Sequence, residues 1–136
     1  ETDCPPEMFS WEYDAENGLI YFINSDVYLN CCGFHSIYLY DRSVDQSTVF
    51  EIVEIDRPAT PDDPQGDYGA YGRCKCMCPF DFGISVPFGS SPTAIDVILS
   101  RRITDAGNVN SEIWSGEIDL SQGNGSFFIT DNFWCE

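Results

Sequence analysis

Sulfur chemistry is the first possibility that the residue types of this chain suggest. Seven cysteines occur among 136 residues, and three of them alternate with other residues in Cys74-Lys75-Cys76-Met77-Cys78. Two more are adjacent, at Cys31 and Cys32, and the single histidine follows at His35. Thiolates and imidazole bind copper(I) and zinc, and thiols also form disulfide bonds. The set therefore predicts either disulfide bonds or a site for a soft metal ion.

Structural disulfide bonds are the first interpretation. Residues two apart in a strand have Cα atoms roughly 6.6 to 6.8 Å apart and parallel Cβ vectors, so the cysteines of the 74–78 segment should not pair with one another. They are expected to find partners on neighbouring strands. Adjacent strand residues point to opposite faces. We therefore expect one of Cys31 and Cys32 to meet the triple-cysteine strand while the other faces a different layer.

The remaining cysteines lie far apart in the sequence. A bond between Cys4 and Cys135 would join the two terminal segments, which often lie close together in domains. Because seven is an odd number, at least one thiol stays free, binds something or pairs between molecules. The disulfide candidates are Cys4, Cys31, Cys32, Cys74, Cys76, Cys78 and Cys135.

Metal binding is the alternative interpretation, in two forms. A copper or zinc site would use Cys31, Cys32, His35, Cys74, Cys76 and Cys78, although the spacing differs from the Cys-x2-Cys knuckle of many zinc sites. A calcium site, in an adhesin-like binding domain, would use Asp105, Asn108, Asn110 and Glu112, which place oxygen ligands at short spacing without the full EF-hand pattern.

Enzyme chemistry has little support in the residue types. A nucleophile needs a neighbouring base, and the chain has one histidine and lacks a Gly-x-Ser-x-Gly elbow and a glycine-rich phosphate loop. With 23 acidic residues, a chance pair of carboxylates carries no information about glycoside hydrolysis. We expect a non-enzymatic protein without a cofactor.

Net charge restricts the partners. The 23 acidic residues outnumber six basic ones, for a formal charge of −17. Such a surface repels nucleic acid phosphates and anionic lipids. No apolar run approaches the roughly 18 residues that a membrane-spanning helix needs, so direct membrane insertion is not expected. Charge repulsion also opposes compaction, which favours screening salt, bound cations or disulfide bonds.

Period-two patterns predict the elements that position these residues. In the segment 74–86 the even positions read Cys, Cys, Cys, Phe, Phe, Ile, Val, which indicates a long strand with one buried face. Strands rich in β-branched and aromatic residues recur along the chain, separated by turn residues. We predict one domain over residues 1–136, an all-β, disulfide-stabilised antiparallel β-sandwich (Ig-like or jelly-roll) of eight to ten strands, with a long loop at about 57–73.

Two local predictions concern the first strands. Asn17-Gly18 should form the turn of a hairpin by supplying positive φ angles. The second strand of this hairpin should end at Asn24-Ser25-Asp26. The pair Cys31-Cys32 and the segment Cys74 to Phe82 resemble the Cys-Cys and Cys-x-Cys-x-Cys-Pro-aromatic-Asp-aromatic motifs of small, uncharacterised secreted and lipoprotein-like bacterial proteins. The resemblance implies an Ig-like sandwich and an extracellular or cell-envelope location.

These observations together predict a secreted or cell-surface structural or interaction module. Its partners would be further copies of itself, in a homo-oligomer or filament, or another surface protein. Unpaired strand edges or an intermolecular disulfide bond would make the contact.

Overall fold

The computed structural model describes residues 4–66, 69–89, 91 and 93–131. This part of the chain is all-β, apart from a short 3₁₀ helix at Leu120–Gln122. The eight strands are β1 (Glu7–Asp14), β2 (Leu19–Asn30), β3 (Phe34–Asp41), β4 (Val49–Arg57), β5 (Met77–Pro87), β6 (Ala94–Ile103), β7 (Ser111–Asp119) and β8 (Asn124–Thr130). The described residues contain no helix of the length and apolarity needed to cross a lipid bilayer.

The strands form two four-stranded sheets. The first sheet has the order β5-β2-β1-β8, and the second has the order β3-β4-β6-β7. All neighbouring strands are antiparallel except β4 and β6, which are parallel. The prediction of purely antiparallel sheets is wrong at this pair. The chain leaves β4, passes through β5 in the other sheet and returns as β6, and such a crossover does not impose the antiparallel direction of a hairpin.

The alternation predicted for the 74–86 segment is confirmed over most of its length. Phe82 is buried at the middle of β5, Cys78, Phe80, Ile84 and Val86 are half-buried, and the residues between them are exposed. The strand begins at Met77. The predicted strand is therefore too long at its start, and Cys74 and Cys76 precede β5.

The first hairpin forms as expected, but the second strand does not end at Asn24-Ser25-Asp26 as predicted. Gly18 has a φ of +64°, whereas Asn17 donates hydrogen bonds to Asp14 and does not have a positive φ. β2 continues through Asn24, with a register shift against β5 before Val27 and a φ of +58° at Asp26. The predicted strand break is a β-bulge, which bends the strand without ending it.

Both sheets contribute inward-facing residues to one large hydrophobic cluster, which contains Phe9, Trp11, Ile20, Phe22, Phe50, Ile52, Phe88, Ile95, Val97, Leu99, Ile118 and Leu120. A smaller cluster contains Val27, Leu29 and Phe82. Along β2, Asn24 lies between Phe22 of the large cluster and Val27 of the small one, and it is buried. A buried polar residue of β2 therefore lies between the two apolar parts of the core.

The predicted 57–73 loop falls in the connection between β4 and β5, except that its first residue, Arg57, is the last residue of β4. Its described residues fold back on themselves through isolated bridges between Ala59 and Gly72 and between Gln65 and Ala70. This connection leads into the cysteine-rich segment, so its return path determines where Cys74 and Cys76 lie.

Candidate functional site

Two disulfide bonds join the end of β2 to the start of β5. Cys31 pairs with Cys78 and Cys32 pairs with Cys74, with Cα separations of 5.0 and 5.6 Å. Both distances lie within the usual range for disulfides. The prediction that one of the adjacent cysteines faces another layer is wrong. β2 ends at Asn30, so Cys31 and Cys32 lie in a bend, and strand alternation no longer separates them.

Asn30 holds the two cysteine segments together. Its side-chain Nδ2 donates to the Cys74 carbonyl at 2.6 Å, while its Oδ1 accepts from the backbone N–H groups of Cys32 at 2.9 Å and Cys74 at 3.2 Å. The Cys31 N–H donates to the Cys76 carbonyl at 3.2 Å. These bonds continue the β2–β5 ladder beyond the strand ends and bring all five cysteines of the 31–32 and 74–78 segments to one place.

Cys76 is the one free cysteine among the described residues, and it is exposed. Its Sγ lies 3.5 Å from Sγ of Cys74. The sulfur atoms of Cys31, Cys76 and Cys78 also lie within 4.8 Å of one another. The thiol is thus beside both disulfide bonds. A thiolate can attack a disulfide sulfur to form a new S–S bond and release another thiolate, so thiol–disulfide exchange is the chemistry that this arrangement supports.

Arg73 anchors this cysteine cluster to the second sheet. Its guanidinium donates to the Cys32 carbonyl at 2.9 Å, to Asp56 Oδ1 at 2.7 Å and to both carboxylate oxygens of Asp105 at 2.7 and 3.0 Å. The hydrogen bonds with Asp105 and then Asp56 raise the pKa of Arg73, against the effect of burial. Hydrogen bonding from Arg73 lowers the pKa of Asp105. The cluster is therefore fixed by charge-assisted bonds as well as by disulfides.

Gly33 is required where the bend passes closest to Arg73. Its φ is +117°, and a Cβ at this position would lie 2.5 Å from the Arg57 carbonyl oxygen and 2.7 Å from the Arg73 guanidinium. A larger residue would displace the bend that carries Cys31 and Cys32.

His35 lies beside Phe80 and Asp56, and it is not a member of the group of sulfur atoms of Cys31, Cys76 and Cys78 that lie within 4.8 Å of one another. Its ring stacks on Phe80 at a centroid distance of 3.9 Å, and Nε2 lies 3.2 Å from Asp56 Oδ1. That contact has the distance of an ion pair but not the angles of a hydrogen bond, since Nε2 has no hydrogen-bond partner among the described residues. Burial lowers the pKa of His35, and the Asp56 carboxylate opposes this effect.

The oxidised cluster does not fit a copper or zinc ion. Cys31, Cys32, Cys74 and Cys78 are engaged in disulfides, whose sulfurs offer no thiolate ligand. A soft-metal site with His35 would need a reduced and rearranged form of the protein, and it stays a prediction.

The calcium alternative also stays a prediction. Both oxygens of the Asp105 carboxylate accept from Arg73, so an ion at this loop would compete with a guanidinium. Glu112 lies in β7 and accepts from Ser115 at 3.3 Å, and Asn108 has a φ of +52°. Asn108 and Asn110 are exposed.

The predicted bond between Cys4 and Cys135 involves a residue outside the described part of the chain. Within that part, Sγ of Cys4 lies 3.2 Å from the Tyr28 hydroxyl on β2. The pairing with Cys135 stays a prediction.

Sequence reasoning missed a buried polar network between the two sheets. Arg101 on β6 binds Glu7 on β1 and Glu54 on β4, both at 2.8 Å, and Asn24 on β2 donates to the same two carboxylates at 2.9 and 2.8 Å. Burial raises the pKa of Glu54, and Arg101 and Asn24 oppose this effect. The network links two strands of each sheet.

One signal for this network was present in the sequence. In β4, the buried positions Phe50, Ile52 and Glu54 share one face, so the period-two pattern puts a carboxylate on the core side of the strand. Its partner could not be read from the sequence, because Arg101 is brought opposite Glu54 by the parallel β4–β6 register.

Comparison of the chain with protein-family models, with curated proteins and with solved structures gives no match. The function must therefore be argued from the site.

Proposed function

We propose that this protein is a non-enzymatic extracellular structural and interaction module, built as an Ig-like or jelly-roll β-sandwich, that joins covalently to further copies through Cys76. The observation that carries the proposal is the exposed Cys76 thiol, 3.5 Å from a disulfide sulfur. Disulfide bonds are typical of oxidising compartments outside the cytosol, which supports secretion.

The joining reaction is thiol–disulfide exchange with a small-molecule disulfide such as oxidised glutathione. The Cys76 thiolate attacks one glutathione sulfur, the mixed disulfide forms, and one glutathione thiolate leaves. The Cys76 thiolate of a second copy then attacks the protein sulfur of that mixed disulfide. A protein–protein S–S bond forms and the second glutathione thiolate leaves, so one disulfide is consumed and one is made.

The edge of β8 supplies a non-covalent contact in the same proposal. This strand ends the first sheet, and its sequence Asn-Gly-Ser-Phe-Phe-Ile-Thr has neither proline nor charge. The opposite edge strand, β5, contains Pro79, Asp81 and Pro87, which discourage pairing with another strand. Addition of a strand from another copy is therefore favoured at β8.

The test measures intact mass and non-reducing electrophoresis after incubation with oxidised glutathione. Wild-type protein should first gain one glutathione and then form a covalent dimer, whereas Cys76→Ser should do neither. Met77→Ser, an adjacent exposed change that keeps the thiol, is the matched control and should dimerise. Protein that acquires glutathione yet remains monomeric at every concentration would overturn covalent self-joining.

Alkylation of the non-reduced protein distinguishes the soft-metal alternative. The proposal expects the described cysteines to contribute one reactive thiol, at Cys76. Three or more alkylated thiols, together with copper or zinc in the native mass spectrum, would favour a metal site instead.

A further inference from the structure

Cys31 and Cys76 lie opposite each other where the β2–β5 ladder runs past the ends of its strands. The last pair of the strand register is Asn30 with Met77. The next pair outward is therefore Cys31 with Cys76, and the Cys31 N–H donates to the Cys76 carbonyl at 3.2 Å. The disulfide bond of Cys31 instead reaches diagonally to Cys78. The free thiol thus belongs to the direct cross-strand neighbour of a cysteine that is bonded elsewhere.

The sulfur of Cys76 lies close to the Cys31–Cys78 disulfide. The Sγ atoms of Cys31, Cys76 and Cys78 are within 4.8 Å of one another. Opposite residues of an antiparallel ladder have Cα atoms about 4.5–5.5 Å apart, and disulfide bonds span Cα separations of about 4.4–6.8 Å. A bond between Cys31 and Cys76 therefore fits the existing backbone, as the Cys31–Cys78 bond does with its Cα separation of 5.0 Å.

The other disulfide offers a poorer exchange product. Sγ of Cys76 lies 3.5 Å from Sγ of Cys74, but attack there would join two cysteines with one residue between them and release Cys32. That bond would close almost no loop, whereas the Cys32–Cys74 bond closes 42 residues. In the chain-entropy account, a disulfide that closes a longer loop stabilises the fold more. Exchange with Cys31 leaves a loop of nearly unchanged length and is therefore favoured.

We propose that Cys76 and Cys78 compete for Cys31, so that the protein interconverts between two disulfide isomers. The Cys76 thiol loses its proton to solvent, and the thiolate attacks Sγ of Cys31. The Cys31–Cys76 bond forms, the Cys31–Cys78 bond breaks, and the electron pair leaves on Sγ of Cys78, which takes up a proton. One thiol and one disulfide are present before and after this step, so it needs no external oxidant or reductant.

The exchange moves the free thiol from an exposed position to a half-buried one. Cys76 is exposed, whereas Cys78 is half-buried on the face of β5 that carries Phe82. Thiol–disulfide exchange with a molecule in solution requires an accessible thiolate. The Cys31–Cys76 isomer is therefore the form that does not join to other copies. This regulatory consequence rests on the proposed function, but the exchange itself does not.

The sequence allows the two isomers to be separated chemically. Met8 and Met77 are the only methionines, so cyanogen bromide cuts the chain between Cys76 and Cys78. Wild-type protein is held at about pH 8 without added disulfide, then denatured and alkylated with a maleimide in acid, where loss of the thiolate stops exchange. Cleavage is also carried out in acid, and tandem mass spectrometry locates the maleimide within each fragment.

The fragments report which bond was present. In the Cys31–Cys78 isomer, fragment 9–77 is linked to fragment 78–136 and carries the maleimide on Cys76. In the Cys31–Cys76 isomer, that link is absent and the maleimide is on Cys78. At least about 1% of the label is expected on Cys78, as for a minor state that lies within a few kcal/mol of the major one.

Two serine variants test the geometry without relying on a minor population. After incubation with oxidised glutathione, Cys78→Ser should contain the Cys31–Cys76 bond, take up no maleimide at either cysteine and form no covalent dimer through Cys76. Cys31→Ser is the matched control. It leaves Cys76 and Cys78 two residues apart at the start of a strand, a poor disulfide geometry, so both should be alkylated when no disulfide is added. Circular dichroism confirms folding of each variant.

Three results would overturn the exchange: label that stays on Cys76 at all times, label that moves to Cys32 instead, or a Cys78→Ser protein that keeps both thiols reactive after oxidation. Failure of the exchange and failure of covalent joining are distinguishable. Wild-type dimers with label confined to Cys76 would support joining and remove the exchange. Label on both Cys76 and Cys78 in a protein that never dimerises would support the exchange and remove joining.

Discussion

Glu54 shows at the scale of one residue how burial changes the acid chemistry of this protein. Its side chain is fully buried, and desolvation raises its pKa above the ordinary value of 4.5 even though Arg101 donates to it. The folded state therefore holds the Glu54 proton to a higher pH than the unfolded state does. The stability associated with this proton is present below pH 4.5 and is lost as the pH rises through the raised pKa.

Glu54→Gln should reduce this pH dependence, because the amide resembles the protonated acid and does not titrate. Relative to wild type, the variant should become less destabilised as the pH rises above 4.5. Urea unfolding of both proteins across the acidic and neutral range measures the difference. A difference in unfolding free energy that does not vary with pH would show that Glu54 does not titrate in this way.

At the scale of elements, the two disulfides close nearly the same loop. Cys31–Cys78 spans 47 residues and Cys32–Cys74 spans 42, one inside the other. In the chain-entropy account, either bond alone is worth about 4 kcal/mol. Once one is formed, the other closes only a short additional ring, which is worth about 2 kcal/mol.

Removal of the bonds should therefore be non-additive. In a Cys76→Ser background, which prevents exchange, replacing either disulfide by two serines should cost about 2 kcal/mol, and replacing both about 6 kcal/mol. Guanidinium unfolding of the four proteins gives these free energies. Losses that simply add would contradict the nested-loop account.

The β8 edge makes a separate prediction about assembly. Phe128 is 56% exposed on this strand, which has no charge of its own. In the Cys76→Ser background, Phe128→Lys should weaken concentration-dependent association by about tenfold, because a charged edge resists strand addition. Sedimentation measures this effect, with Val109→Lys, at an exposed loop position, as the control. A Cys76→Ser protein that is monomeric throughout would argue against assembly at β8.

At the scale of the whole molecule, the buried polar network ties the sheets together in one register. Arg101 forms ion pairs with two buried carboxylates that come from different sheets. Removing one member of such a network leaves uncompensated charge in the core. The ion pairs and hydrogen bonds of the network form only when these strands are aligned in the observed register. The network therefore favours the one alignment in which the large and small hydrophobic clusters pack.

Arg101→Met should lower the unfolding free energy by about 3–5 kcal/mol at neutral pH. The loss should be smaller at about pH 4, where carboxylates accept protons. Arg42→Met is the control, since Arg42 is 55% exposed in its pair with Glu51 and should cost no more than about 1 kcal/mol. Equal losses for the two variants would show that the buried network contributes no more than a surface pair.

The sequence alone determined the all-β class, most strand positions and the inward face of β5 from Cys78 to Val86. These properties depend on local alternation and turn residues, which any stretch of chain carries within itself. The odd number of cysteines likewise meant that at least one thiol could not take part in a disulfide bond within the chain.

Only the tertiary structure decided that Cys31 and Cys32 both pair with the 74–78 segment and that Cys76 stays free beside them. It also decided the Glu54–Arg101 contact and the position of Trp11 against Gly125. Each depends on which strands become neighbours and in what register, across sequence separations as long as that of Trp11 and Gly125. The parallel β4–β6 pairing sets the register of Glu54 and Arg101, and the β1–β8 pairing sets that of Trp11 and Gly125, while local alternation specifies neither pairing.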